Sequence, residues 1–327
     1  MRALLCKAFG PPESLTVEEI ANLPQPGKGE VKLAVHAAGL NFPDTLMVAG
    51  KYQVKPPLPF SPGMECAGII AEVGEGVSEV NPGDRVMAMT GYGAMAEEVI
   101  TSATRVFRIP DSMNFEQAAG FPVTYGTTYY ALVDRARLKS GEVLLVHGAA
   151  GGVGSNAVEI GKILGATVIA TAGSDEKLQV AKRYGADHAV NYSTGSIRDR
   201  IKALTDNRGV DVAFDPVGGD VFDETLRSMA PHGRLLVIGF ASGRIPAAPA
   251  NLVLLKNCDV VGVYWEGFML RDPRKNRENF DTMLRWFEAG KLRPPVSSTF
   301  PLDQIAQAMH TLLSRRSTGK LIITIRR

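Results

Sequence analysis

Residues 143–177 read VLLVHGAAGGVGSNAVEIGKILGATVIATAGSDEK, and no other stretch narrows the choice of fold as far. Val143 to His147 is a short apolar strand. Glycines at 148, 151, 152 and 154 follow, then a helical pattern with Val153, Ala157, Ile160, Ile163 and Leu164 near one face. A second strand, Thr167 to Thr171, completes a βαβ unit. Small residues let bare backbone N–H groups approach a phosphate, and the helix aims its positive end at the same point. This order of elements binds a dinucleotide pyrophosphate, with Ala149-x-Gly151-x-x-Gly154 as a variant of the three-glycine pattern. Ala150, Gly151, Gly152 and Val153 are the candidate pyrophosphate contacts; the competing reading is a glycine-rich turn that binds nothing.

The choice of coenzyme is made about 20 residues past the first glycines, where NAD enzymes usually carry an acid for the ribose 2′-OH. Thr171, Ala172 and Gly173 stand there instead. No carboxylate repels a 2′-phosphate, and Ser174 and Lys177 are placed to bind one beside Gly173, which favours NADPH. The bland alternative makes Ser174 an N-cap, with Asp175 and Glu176 favouring the helix start and Lys177 solvated.

At 327 residues the chain suggests two domains, and its 45% hydrophobic and 21% charged residues are ordinary for a globular protein. A net charge of +2, with Arg271 to Arg277 the one short basic segment, gives little support to a nucleic-acid partner. Three widely spaced cysteines, Cys6, Cys66 and Cys258, form no metal or disulfide pattern and fit a reducing compartment. No apolar run reaches bilayer length and the apolar part of the N-terminus is short for a signal peptide, so the expectation is a cytoplasmic protein without a membrane partner.

The first 122 residues are β-rich. Strands are expected at Arg2 to Lys7, Val31 to Gly39, Glu65 to Val73, Asp84 to Met89 and Ala94 to Thr101, broken by proline and glycine. From Val123 helices and strands alternate. Strands at His188 to Asn191, Val210 to Asp215, Arg234 to Ile238 and Asp259 to Val263, with helices at Asp175 to Tyr184, Ser196 to Thr205 and Val221 to Met229, complete a six-stranded parallel sheet. Beyond Trp265 come two helices, around Phe280 to Phe287 and Ile305 to Leu313, and a strand at Leu321 to Ile325. The predicted architecture is α/β: a doubly wound Rossmann domain over 123–265, and a discontinuous β-rich domain made of 1–122 with the return of 266–327.

This order resembles the medium-chain dehydrogenase/reductase superfamily along essentially the whole chain. The blocks that carry the likeness are Ala38-Gly-Leu-Asn-Phe-Pro-Asp44-Thr, Pro62-Gly-Met-Glu-Cys-Ala-Gly68, Val73-Gly-Glu-Gly-Val77, Pro82-Gly-Asp-Arg-Val86, Phe121-Pro-Val-Thr-Tyr-Gly-Thr-Thr128 and the glycine turn. It is similar in particular to the zinc-independent quinone oxidoreductase branch that includes zeta-crystallin, which implies a GroES-like catalytic domain. The zinc-dependent alcohol dehydrogenases place a cysteine ligand where this chain has Asn41 and His-Glu where it has Met64-Glu65. No second cysteine falls near Phe121 to Thr124, and the cysteine-rich lobe is absent. Zinc needs a tetrahedral set of thiolate, imidazole or carboxylate ligands, so the chain is read as metal-free. His36 and His147 are read as packed or capped, and His188, His232 and His310 have no paired acid in view.

Hydride donation from NADPH to an already electrophilic acceptor asks for alignment and for donors to a developing oxyanion. Asn41, with its amide N–H, and Tyr52, whose hydroxyl would deliver a proton, are the candidate catalytic residues. Their bland readings are a turn residue before Pro43 and a half-buried loop aromatic. By resemblance Asn41 and Thr127 lie near the nicotinamide or its ribose, Tyr192 joins Ser174 and Lys177 around the 2′-phosphate, and Val217, Gly239, Phe240, Val263 and Trp265 line the nicotinamide. Lys320 matches a basic C-terminal position that reaches the cofactor. The expected activity is NADPH-dependent reduction of a quinone. The alternatives are reduction of an enone, alkenal or enoyl-thioester double bond, with the Arg271 to Arg277 segment on a substrate phosphate, and NADPH binding without turnover. The resemblance also implies a homodimer joined through the strand near Asp259 to Tyr264.

Overall fold

The computed structural model describes residues 1–326. The chain divides into two compact units. Residues 1–123 join the chain from Pro273 onward in one, and Thr124–Asp272 form the other.

In the first unit the strands run in the order Val296–Pro301, Lys320–Thr324, Glu30–Leu40, Glu65–Val73, Arg85–Met89 and Val106–Arg108, with Glu98–Ser102 also paired to Glu30–Leu40. The central strand alternates Val31, Leu33 and Val35 into a core shared with Cys66, Ile70, Val86 and Ile323. The last strand is antiparallel to it, Leu321 facing Leu40 and Thr324 facing Ala37, so the chain's end sits beside the middle of the sheet. Thr16–Glu19 pairs with Arg2–Leu5 in a separate hairpin. Three strands escape a reading by periodicity: Val106–Arg108 is three residues long, and Thr16–Glu19 and Val296–Pro301 bury no residue fully. The strand expected from Ala94 begins at Glu98, because Met95 to Glu97 pair instead with Arg2 to Leu4.

The second unit holds a six-stranded parallel sheet in the order His188–Asn191, Thr167–Ala172, Val143–Val146, Val210–Asp215, Met229–Val237 and Asp259–Gly262. Helices Gly152–Ile163, Asp175–Arg183, Ile197–Leu204 and Gly219–Arg227 make the crossovers. Where Gly219–Arg227 was expected to start at Val221, it starts two residues earlier, because the Asp215 carboxylate accepts the N–H groups of Val217 and Gly218 and turns the chain at once. Helices at Ala250–Lys256 and Trp265–Arg271, and a π-helical stretch Tyr130–Arg135 after helix Pro122–Tyr129, were not legible in the apolar spacing. No helix among the described residues is long and apolar enough to cross a membrane.

His147, fully buried at the end of its strand, fastens the turn that follows. Its Nδ1 lies 2.8 Å from Thr171 Oγ1 and its Nε2 2.7 Å from Thr225 Oγ1. The Thr225 hydroxyl already donates to Val221 O, so it accepts here; His147 carries its proton on Nε2 and accepts the Thr171 hydroxyl at Nδ1. The ring is packed, as its place in the sequence suggests, and burial lowers its pKa. A base whose pKa is depressed by folding contributes stability above its unfolded pKa, about 6.5, that is lost as pH falls below it. His147→Gln keeps both hydrogen bonds without the titration. Denaturant unfolding from pH 8 to pH 5 should show wild type losing stability relative to that variant below about pH 6.5.

Candidate functional site

The glycine turn of the second unit is built around one carbonyl. Gly148, at φ +57°, points its oxygen at Gly151 N–H, 2.9 Å away. A Cβ on residue 154 would lie 2.1 Å from that same oxygen, so only glycine lets the helix start here. Gly151 is the extended residue before helix Gly152–Ile163, and Ala150, Gly152 and Val153 stand with it at the helix N-terminus, whose first N–H groups have no partner within the helix.

One strand over, Ser174 caps helix Asp175–Arg183, its Oγ accepting the Lys177 N–H at 3.5 Å. Tyr192 leans over Gly173, its Oη 3.1 Å from where a Cβ on that residue would sit. Ser193 Oγ donates to Gly173 O at 3.0 Å. Gly173, Ser174, Lys177 and Tyr192, four of the predicted coenzyme residues, are thus gathered at one strand end. The nearest acid in the sequence, Asp175, is engaged by Asn191 Nδ2 at 2.8 Å.

The ends of the next two strands are laced together. Ala241 N–H donates to Pro216 O and Ser242 N–H to Val217 O, which brings Val217, Gly239 and Phe240 side by side. Val263 N–H donates to Val237 O and continues the pairing of the edge strand. Trp265 is buried with its ring against Gly126, one residue before the half-buried Thr127, which makes it a packing residue as much as a lining one.

The first unit carries a buried polar cluster drawn from three distant segments. Glu65, fully buried at the head of its strand, accepts three groups: Lys320 Nζ at 2.5 Å, Asn41 Nδ2 at 2.9 Å and the Val123 N–H at 2.8 Å. Lys320 Nζ also reaches Asn41 Oδ1 at 2.5 Å, and the second Asn41 N–H goes to Gly39 O at 3.3 Å. A Cβ on Gly39 would fall 2.5 Å from Glu65 Oε1, so a bare backbone there makes room for the carboxylate. The Lys320 stem passes over Gly120 in the same way. Asp44, fully buried, accepts the Asn41 backbone N–H at 2.8 Å through Oδ2, and the Gly63 backbone also hydrogen-bonds its carboxyl.

Both N–H bonds of the Asn41 amide are therefore spent inside the cluster, and the Lys320 ammonium is held by Glu65 and Asn41. Tyr52 packs, half-buried, against the core of the first unit. Glu65 and Asp44 were missed as site residues although both lie in the family blocks; an acid set in the apolar run of residues 65–70 was the available signal. His36 stacks on Phe115 at 4.4 Å, packed as expected. Arg277, taken with its neighbours as a solvated or phosphate-facing charge, instead lays its guanidinium 4.5 Å over the Phe107 ring, which itself stacks on Phe280.

Residues 152–289 match the family described as zinc-binding dehydrogenase, and residues 27–111 the alcohol dehydrogenase GroES-like domain. The chain is 42% identical to the rat quinone oxidoreductase-like protein 2 over 99% of its own length and 92% of that protein. It superimposes on the Escherichia coli quinone oxidoreductase complexed with NADPH with a TM-score of 0.92 at 29% identity, covering 99% of this chain and 100% of that one. It also matches the enoyl reductase JamJ with a TM-score of 0.89 at 28% identity, covering 99% and 98%. The zinc in the family description finds no seat: among the described residues no group of three or more His, Cys, Asp and Glu side chains is placed to hold a metal, and Glu65 already faces an ammonium.

Burial pushes the Asp44 carboxyl up to about 7, and Glu65 adds to the rise, against the Asn41 N–H and the Lys320 ammonium, which pull it down. An acid whose pKa is raised by folding stabilises the fold most below its unfolded pKa of about 3.9 and costs stability as pH climbs through the folded value. Asp44→Asn keeps the acceptor for Asn41 and cannot ionise. Its stability relative to wild type should rise between pH 4 and pH 8, by at most about 4 kcal/mol, in chemical unfolding at fixed temperature.

Proposed function

We propose a function from one premise: the chain belongs to the medium-chain dehydrogenase/reductase superfamily, as a quinone oxidoreductase-like oxidoreductase. It is an NADPH-dependent reductase of quinones or of similarly electrophilic carbonyl compounds. The observation that carries the coenzyme is the meeting of Ser174, Lys177 and Tyr192 at Gly173, with Thr171, Ala172 and Gly173 where an acid for the ribose 2′-OH would stand. The solved relative from Escherichia coli, complexed with NADPH, supports the same choice.

Bound NADPH supplies a hydride from its nicotinamide. The chain's residues supply the rest: the N-terminus of helix Gly152–Ile163 takes the pyrophosphate, Ser174 and Lys177 take the 2′-phosphate, and Val217, Gly239, Phe240 and Val263 set the position of the ring. An acceptor that draws the hydride itself needs no Lewis acid, which suits a chain with no ligand set for one among its described residues. The similarity to an enoyl reductase favours activated carbon–carbon double bonds as the second substrate class.

Absorbance at 340 nm with 1,4-benzoquinone, an enone and crotonyl-CoA separates these substrates, and efficient turnover of the thioester alone would overturn the quinone reading. In the same assay Lys177→Ala should raise the KM for NADPH about tenfold and leave that for NADH unchanged, as expected for loss of one charge-assisted hydrogen bond.

The partner of the second unit is proposed to be another copy of this chain. Strand Asp259–Gly262 has one paired side only, and the neighbouring helix Ala250–Lys256 turns Leu254 and Leu255 outward, each 78% exposed. Sedimentation at micromolar concentration should give a dimer, and Leu254→Glu with Leu255→Glu a monomer.

A further inference from the structure

The chain between strand Met229–Val237 and helix Ala250–Lys256 forms no helix or strand, yet its first turn is fastened to helix Gly219–Arg227. Gly218 and Gly219, at φ +68° and +61°, open that helix and leave a bare seat for the turn. A Cβ on Gly218 would lie 3.2 Å from both Arg244 O and the Phe240 ring, and one on Gly219 2.8 Å from Ser242 Oγ. Gly219 N–H donates to Arg244 O at 3.1 Å and Gly243 N–H to Phe240 O at 2.9 Å, so both ends of the turn are tied. The Arg244 side chain grips the same helix, its Nη2 donating to Asp220 Oδ1 at 2.8 Å and to Asp223 Oδ2 at 2.6 Å. Three residues apart on one helix, those carboxylates repel each other, and a cation between them removes the repulsion. Phe240 is exposed, so the turn rather than a surrounding core sets where its ring stands.

We propose that Arg244 is a positioning residue for the coenzyme: with Asp220 and Asp223 it latches the turn that presents Gly239 and Phe240 to the nicotinamide half. The inference rests on the coenzyme reading above, and all of these residues belong to the second unit. Arg244 acts through Phe240, not on the ligand. Without the latch the turn keeps its backbone bonds but loses its side-chain tie to the helix, and part of the binding free energy goes into ordering Phe240. Two strands, Val143–Val146 and Val210–Asp215, separate this turn from the strand that leads to Gly173, Ser174 and Lys177. The latch therefore acts on one half of the coenzyme and leaves the 2′-phosphate end as it is.

The test is calorimetry on the full chain with NADPH, NADH and adenosine 2′,5′-bisphosphate, which has the 2′-phosphate but no nicotinamide. Arg244→Ala should raise the Kd for NADPH about fivefold, the upper end of what exposed ion pairs supply, and leave that for the bisphosphate unchanged. Asp220→Asn combined with Asp223→Asn should match it, and adding Arg244→Ala to that pair should cost nothing further. Arg244→Lys should stay close to wild type, because a single nitrogen makes both contacts. An Arg244→Ala protein that keeps its NADPH affinity, or that loses both ligands alike, overturns the proposal, and so does a triple variant whose loss is the sum of its parts. A wild type that ignores the bisphosphate, while Arg244→Ala weakens NADH to the same degree, upholds the latch and overturns the NADPH reading.

Discussion

A buried ion pair holds the first unit to its design. Taking an ammonium and a carboxylate out of water costs several kcal/mol per ion, and the attraction between them offsets this only when the geometry is good and the remaining valences are filled. Glu65 meets that condition with three donors, one from each of three segments more than twenty residues away in sequence. The glycines at 39 and 120 follow from the same requirement, since side chains there would fill the space the two ions occupy. Removing one member of the pair strands the other, so the cluster constrains residues 39, 41, 65, 120 and 320 together.

The second unit is organised by backbone rather than by charge. Its glycine turn depends on the helix approaching the Gly148 carbonyl more closely than any Cβ allows, and on His147 tying the strand before it to Thr171 and Thr225. The proposed preference for a phosphorylated ribose rests on what is missing from residues 171–174 as much as on Ser174, Lys177 and Tyr192. The two units thus differ in kind, one shaped around close backbone contacts, the other holding an ammonium in a nearly dry setting.

Much of this was legible in the chain. The βαβ unit announced itself because strand, glycines and helix follow one another locally, and the half-buried strand from Val31 showed its alternation. The packing of His147 and His36 followed from their places in apolar strands. What could not be read were relations across long separations. Taken alone, Lys320 looked like an edge-strand charge because its ion-pair partner lies 255 residues earlier. Asn41 looked like a free donor because nothing in its neighbourhood reveals that Glu65 and Gly39 take both of its N–H bonds. Arg277 looked solvated because its aromatic support, Phe107, belongs to another segment. Short or exposed strands such as Val106–Arg108 and Val296–Pro301 carry too few buried positions to leave a pattern.

The place of strand Lys320–Thr324, between Val296–Pro301 and the central strand of the first unit, bears on how the protein is made. A ribosome releases the contiguous second unit, 124–272, while the sheet around Glu65 still lacks two of its strands and the Lys320 ammonium. The half of the molecule that is translated first is therefore the half that must be finished last, and its glutamate lacks this partner until Lys320 has left the exit tunnel.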